Sequence, residues 1–368
     1  MTFITHLEGL EDSRTDINKN YDLVDIVFLT MAAILSGAKG WKAIKIFGES
    51  KLEWLRLHRP FEAGIPTRHS IGRIIRGIKS DSLLLCFEQW VNSIRKSEGK
   101  EQISFDGKVL RGSGHGDHLE ALQLMSAMIV ESGLILTQKE SEGKKNEIKT
   151  MQAMLSSLSV KGAVITADAM HCQTKTASLI KARDADYVMQ VKNNQKHLSE
   201  EIKAFFHKTE RDSPDQLEGG YFCDVDGEHG RISEREYQLL PLTDWLSTTK
   251  DWEGCQSAVK VNRRRTIKGK VTQETSYYLT SLDCGVKEVA RYIRNHWSIE
   301  NSQHWVLDVT FREDESPIYA EDGAKNMALL RRALLNMIKA HPFKDSVAGK
   351  MMRAGWDDKF REEMIFGH

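Results

Sequence analysis

The sequence predicts an α/β protein: a mixed sheet with helices on its faces, a helical region ahead of it and a β-rich insertion within it. Three observations predict that class. Apolar residues recur at helical spacing up to about residue 98. From Gln102 to Gln195 short β-rich runs alternate with helical ones. From about Glu210 to Lys270 the chain turns polar and strand-like, and helical periodicity returns at Val286.

The N-terminal region opens with Leu23, Ile26, Val27, Met31 and Ile34 on one helical face, and Gly37 and Gly40 supply a stop. A second helix follows Pro66, with Thr67 as its cap and Ile71, Ile74, Ile75 and Ile78 as its apolar stripe. His69, Arg73 and Arg76 fall on the opposite side, and no acidic residue occurs between Arg68 and Lys79. Such a face is either a solvated surface or a helix that lies against DNA phosphates.

QISFD, LQLMSAMIV and LILTQ then read as three strands separated by the turns RGSGHGD and ESG. They lead into a helix from about Asn146 to Leu158, the strand AVITAD, a helix over Thr174 to Ala182, the strand YVMQV and a helix from about Gln195. The insertion carries strands in YQLL, QSAVKVN and SYYLTSL. Its residues 260–270 hold Lys260, Arg263, Arg264, Arg265, Lys268 and Lys270 without an acid, and are expected to form a basic loop. Helices over Val286 to Val306 and Lys325 to Ala340 complete the pattern. The organisation expected is 1–98 helical, 99–209 first part of the core, 210–275 insertion, 276–345 second part of the core, and 346–368 a C-terminal tail.

Lys plus Arg and Asp plus Glu number 52 each, so net charge argues for no partner and local charge has to decide. The five cysteines are scattered without a CxxC pair, the pattern of reduced cytosolic thiols. The start MTFITHLEGLEDSR lacks the basic and apolar blocks of a signal peptide. The most apolar stretch, Leu23 to Gly37, contains Asp25 and is too short to span a bilayer. A soluble, cytoplasmic protein is expected.

Three carboxylates stand out. Asp106 and Asp168 each end a predicted strand, where a rigid sheet fixes the backbone and the side chain emerges at its edge. Either one alone fits a turn or cap residue equally well. Glu300 lies on the apolar face of its helix: at 100° per residue, Val286, Val289, Ile293, Trp297, His304 and Leu307 fall within about 60° of it. A carboxylate directed at a core costs several kcal/mol unless it is paired or bound to a cation. A buried Glu300–His296 pair is the structural alternative. Two strand-end aspartates and a helical glutamate make an all-oxygen donor set suited to Mg²⁺ or Mn²⁺, and a two-ion site of that kind performs phosphoryl transfer.

The runs ISFDGKVLRGS, ITADAMHCQ, YVMQVKNNQ and RNHWSIENSQHWVLDVTFRED resemble the motifs of bacterial insertion-sequence DDE transposases. The resemblance is to the group containing the H-repeat-associated proteins of Rhs elements, and it covers nearly the whole chain. It implies an RNase H-like catalytic core, a β-rich insertion between the second Asp and the Glu, and the triad Asp106, Asp168 and Glu300. The gap from Asp168 to Glu300 is about twice that from Asp106 to Asp168, which leaves room for the insertion. It also implies Mg²⁺ or Mn²⁺, two ions in all, double-stranded DNA as substrate and a homodimer that brings two element ends together. In the wider superfamily the Glu helix reads Tyr-x2-Arg-x3-Glu-x6-Lys; this chain has Ile293, His296 and Leu307 at those three places, so only His296 remains as a reduced DNA contact. Lys108 and Arg111 are expected to meet phosphate near the first Asp, Lys192 and Asn194 near the second. Arg73, Arg76, Arg263, Arg264 and Arg265 are expected to hold end DNA.

Other motifs weigh less. GSGHG lacks the Lys-Ser/Thr of a P-loop and suits a hairpin turn. His296, Glu300 and His304 have zinc-ligand spacing but no further ligand. His171 and Cys172 are sequence neighbours and point apart, which argues against a nucleophile pair. Trp297, Trp305 and Phe311 are expected in the core. Two rival functions are a domesticated DNA-binding protein without transposition activity and a stand-alone RNase H-type nuclease.

Overall fold

The computed structural model describes residues 2–15, 19–96, 100–114, 120–141, 143, 146–228, 231–242, 246–318, 320 and 322–367. Its helices begin with α1 (Phe3–Leu7), α2 (Leu23–Leu35), α3 (Trp41–Ser50), α4 (Leu52–Arg56), α5 (Arg68–Arg76) and α6 (Ser80–Ile94). Then come α7 (Glu147–Ser157), α8 (Thr174–Lys181), α9 (Lys196–Asp212), α10 (Asp215–Glu218) and α11 (Val286–Asn295). The last are α12 (Trp305–Val309), α13 (Gly323–Ala340), α14 (Val347–Trp356) and α15 (Asp358–Phe366). The strands are β1 (Gln102–Val109), β2 (Gln123–Ile129), β3 (Ile135–Ser141), β4 (Val164–Ala167), β5 (Asp186–Val191), β6 (Tyr221–Glu228), β7 (Arg231–Pro241), β8 (Ser257–Ile267) and β9 (Lys270–Thr280). This is the mixed α/β class that the sequence predicts. None of the described helices is long and apolar enough to cross a membrane.

Two compact units divide the chain. Unit 1 comprises Met1–Lys96, Gly107–Lys144 and Ile299–His368, and unit 2 comprises Ser97–Asp106 and Lys145–Ser298.

In unit 1, α2 is buried along its whole length. Its one carboxylate, Asp25, accepts hydrogen bonds from Arg59 Nε at 2.8 Å and from the Phe61 amide at 2.9 Å, which is how an acid survives in an apolar helix. The α5 helix follows its sequence pattern closely. Thr67 caps it by accepting from the Ser70 amide, and Ile71, Ile74, Ile75 and Ile78 are buried while Arg68, His69 and Arg73 face outward. From α13, the Asn326 amide donates to the carbonyls of Ile75 and Ile78, and Asn336 pairs with both backbone groups of Ile135 on β3. The antiparallel β2–β3 hairpin lies next to the end of β1 in the order β3-β2-β1. The expected tail forms α14 and α15, held by buried Met351, Phe360 and Arg361, whose guanidinium sits 4.0 Å from the Trp54 ring centre.

In unit 2 the strand order is β1-β4-β5-β9-β8-β7-β6. The pairs β1–β4 and β4–β5 are parallel, and those from β5–β9 outward are antiparallel. The insertion therefore continues the sheet instead of hanging from it. Its core side receives α11, whose Val289, Ala290, Tyr292 and Ile293 pack with Val164, Val188, Val259 and Tyr278. Residues 260–270 are not a loop: β8 runs to Ile267, and only Lys268 and Gly269, both at positive φ, turn the chain into β9. Basic side chains gave the segment a polar texture, but its alternation is that of a strand.

The helix expected over Val286 to Val306 is also broken. After α11 the backbone turns at His296 and Trp297, and Glu300–His304 winds as a π-helix before α12. A π-helical step shifts the angular phase of every later residue. Glu300 is consequently exposed, with Ile299, Gln303 and His304 buried around it, so the inward-facing glutamate read from an ideal helix is corrected. Trp297 is half-buried and Trp305 exposed, against expectation; Phe311 is in the core.

Candidate active site

In β1 and β4 the paired residues are Gln102 with Val164, Ser104 with Thr166 and Phe105 with Ala167. The next step in that register sets Asp106 beside Asp168, on strands separated by about 4.8 Å. Side chains alternate along a strand, so these carboxylates share a face with Ser104 and Thr166. Below them the Ser104 and Thr166 hydroxyls are hydrogen-bonded at 2.9 Å, and Gln102 Nε2 donates to Thr166 Oγ1 and to the Tyr292 carbonyl. His296, just past the end of α11, closes the column. Its Nδ1 lies 3.1 Å from Thr166 Oγ1, and its Nε2 lies 3.6 Å from Asp168 Oδ1. Sheet register sets the carboxylates, and the helix end sets the imidazole.

The hydrogen bond from His296 holds the Asp168 carboxyl below the usual range, opposed by burial and aided by the charges of His171 and Lys192. Asp168 is thus an anion at neutral pH, half exposed to solvent. His171 is the residue that the sequence did not single out for this site. It is 1% exposed, its Nδ1 has no hydrogen-bond partner among the described residues, and it lies in the field of both aspartates. Burial lowers its pKa from 6.5 to about 4, with Asp168 and Asp106 pulling the other way. Its only sequence signal was its place three residues after Asp168.

This shift predicts a pH dependence. A histidine with a lowered folded-state value is protonated first in the unfolded chain, so acid favours unfolding. The contribution is whole above pH 6.5 and is lost as pH falls toward about 4, on the order of 3 kcal/mol at most. Urea unfolding of wild type and His171→Gln at neutral and acidic pH checks it. The variant should lose less stability on acidification, and parallel losses would dismiss the assignment.

The loop after Asp168 is tied down from α9's start. Asn194 Nδ2 donates to the Ala169 carbonyl at 2.8 Å, and Gln195 Nε2 donates to the Cys172 carbonyl at 3.0 Å. Asn194, expected as a phosphate contact, is exposed and also ties down this loop. Cys172 is fully buried, and burial pushes its thiol far above the usual range, which fits no nucleophile. Lys192 is exposed on the rim of a groove of about 450 Å³ lined by Ala169, Met170, Asn193, Lys203, Glu274 and Tyr277.

Other expected contacts are placed as follows. Lys108 is buried and its ammonium sits 2.5 Å from Asp308 and 2.9 Å from Asp314, so its charge is committed inside unit 1 and not to phosphate. Arg111 is exposed and 3.6 Å from Asp314. Glu313 and Asp314 stand just before Pro317, where the sequence suggests a solvated loop; Glu313 is instead buried and pairs with Arg332 at 2.9 Å. Arg73 is exposed; Arg76 is half-buried and donates to the Gly72 carbonyl. On β8, alternation separates Arg264, 3.6 Å from Glu234, from Arg263 and Arg265 on the other face. There burial and the neighbouring Arg263, Arg231 and Arg235 lower the Arg265 pKa, the mark of crowded cations. His296, expected as a reduced DNA contact, faces Thr166 and Asp168. The turn at 296–297 and the π-helical step undo the zinc-ligand spacing of His296, Glu300 and His304. His115 and Gly116 of GSGHG lie outside the described residues.

The family model described as the transposase DDE domain matches residues 97–337. The chain belongs to that family. A second family model, described as DDE_Tnp_1-associated, matches residues 4–91 of this DDE-family protein. It is 32% identical over 370 residues to "Putative transposase YncI" of Escherichia coli O157:H7, covering 99% of this chain and 94% of that one. It is 31% identical to "H repeat-associated putative transposase YhhI" of Escherichia coli K12, covering 98% and 97% respectively. A solved structure of piggyBac transposase in a synaptic complex with hairpin DNA aligns at TM-score 0.49 and 10% identity, over 99% of this chain and 77% of that chain, too slight a likeness to support any step below. Among the described residues, no group of three or more His, Cys, Asp or Glu side chains is arranged to hold a metal ion.

Proposed function

We propose that this DDE-family protein cuts DNA at the ends of an insertion sequence and joins the freed ends to target DNA, using divalent metal at Asp106, Asp168 and Glu300. The observation that carries the reading is the parallel pairing of β1 with β4 up to Phe105 with Ala167, the residues just before Asp106 and Asp168, together with the charge of both aspartates acting on His171. The donor set fits Mg²⁺ or Mn²⁺, which bind one or two carboxylates and complete their shells with water and substrate phosphate. Asp168 is held ionised by His296 and so is ready to bind a cation at neutral pH. Glu300, exposed at the first residue of the π-helical segment, is the third acid. Two ions in such a site activate the attacking oxygen and stabilise the leaving 3′ oxygen.

Within the protein, Asp106 and Asp168 would hold the metal that meets the reacting phosphate, while His296 and Thr166 would orient the second carboxylate and Lys192 would attract the strand beside it. The parallel strands β1, β4 and β5 and the antiparallel β2–β3 hairpin support the RNase H-like reading of the core. Double-stranded DNA, chromosomal or plasmid, is the substrate, and pairing of two element ends calls for a homodimer on DNA.

The test is a supercoiled plasmid that carries the inverted repeats flanking the gene. Incubation with Mg²⁺ or Mn²⁺ should nick it at the repeat ends, and excess chelator should stop the reaction. Cutting that persists in chelator sinks the proposal.

A further inference from the structure

At the start of α3, Trp41 lies across Gly72 of α5: a Cβ at Gly72 would stand 3.1 Å from the indole Nε1 and 3.2 Å from Cε2. That is closer than side chains ordinarily pack, so a larger residue at 72 would push the indole by a few tenths of an ångström. Above this floor is a recess of about 300 Å³, lined by Trp41, Lys42, Arg68, His69, Gly72 and Arg76. No acid lines it. Among the described residues, no carboxylate comes within ion-pair distance of Lys42, Arg68 or the neighbouring Arg73, whereas Lys108, Lys260, Arg294 and Arg332 all have acidic partners. The recess is thus a concave, cationic site with an aromatic floor, built from two helices that the sequence did not associate.

We propose that this recess seats one phosphodiester of DNA, with Lys42 and Arg68 as its exposed charges, Arg76 at its base and the Trp41 indole against the adjoining sugar. This rests on the reading of the protein as one that acts on DNA. The recess is too small for a duplex and the right scale for a single phosphate with its sugar. It holds two flexible cations whose charge no carboxylate among the described residues neutralises, so a polyanion gains attraction there without breaking an ion pair found among them. Contacts of this kind fix position on the duplex and read no sequence.

The experiment is fluorescence anisotropy with a short labelled duplex, either the gene-flanking inverted repeat or a scrambled one, over a range of salt. Lys42→Ala/Arg68→Ala removes two exposed side chains, and Lys359→Ala, an exposed cation on α15, serves as control. The double variant should weaken binding to both duplexes alike and reduce the slope of log K against log salt by about two, with the control unchanged. An unchanged slope, while wild type binds, overturns the recess alone. Wild type that binds neither duplex counts against the DNA reading itself, and the recess falls with it. Inorganic phosphate that raises the melting temperature of wild type but not of the double variant, with duplex affinity equal in both, assigns the recess to a free anion and overturns the proposal.

Discussion

Asp168→Asn is expected to abolish metal-dependent strand cleavage while it leaves the fold and the affinity for duplex DNA intact, and Asp106→Asn should do the same. Asp168 directly follows the end of β4, whereas β1 continues past the expected end at Asp106 to Val109; at both places the backbone ladder and not the carboxylate sets the structure. Asparagine keeps the shape but removes the anionic charge that a hard cation requires. The two variants differ in one respect. Asp168 also receives His296, so its loss releases the imidazole from one of its two partners, and Asp168→Asn should shift the His296 proton resonances where Asp106→Asn does so less. Cleavage should fall by roughly 10³-fold or more for either, on the scale of losing a metal-directed electrostatic contribution. A nicking rate within a few-fold of wild type in the Asp106→Asn protein would remove the metal assignment from β1.

The largest expected effect on stability lies in unit 1. Glu313 and Arg332 have no exposed side-chain surface and are paired at 2.9 Å, with Arg331 and Lys108 each 3.9 Å from the same carboxylate. Glu313→Gln leaves the Arg332 guanidinium buried without its anion. Breaking a buried pair from one side costs about 3–5 kcal/mol. Urea denaturation of the variant should show a loss of that size. Adding Arg332→Met should restore part of it, because the orphaned cation goes too. A single variant as stable as wild type would show that the pair contributes little and that Arg332 has other compensation.

Much of this architecture was legible in the sequence because its local signals agree with one another. The α5 cap and stripe, the strands QISFD, AVITAD and YVMQV, and α13 all lie where periodicity places them. Their periodicity marks them even where, as in α13, buried Asn326, Arg332 and Asn336 take partners far away in sequence. What escaped was set by tertiary context. Arg263 to Arg265 suggested a loop by composition, yet β7 and β9 pair on either side and make the segment a strand. Glu313 suggested solvent because acids usually do, and only the buried Arg332, distant in sequence, explains it. The helical wheel around Glu300 assumed 3.6 residues per turn throughout, and the π-helical segment violates that assumption where the inference was finest. At the site, strand-end positions pointed to Asp106 and Asp168, but their neighbourhood in space needed the β1–β4 register. His171 was overlooked because a histidine beside a cysteine was weighed only as a nucleophile pair.

The insertion's continuity with the sheet limits how the protein can be trimmed. Strand β5 pairs with β4 on one side and with β9 on the other, from Val188 opposite Thr280 to Val191 opposite Tyr277. Excising the insertion together with all of β9 would leave the apolar YVMQV run as a bare edge, with unpaired amides and carbonyls ready to template another chain. The present outer strand, β6, carries Asp224, Asp226 and Gly227, charges and a glycine of the sort that blunt an edge. A minimal catalytic fragment made by deletion should therefore aggregate, and a soluble one would need charges placed along β5. The insertion serves the core as a cap against self-association, whatever else it binds.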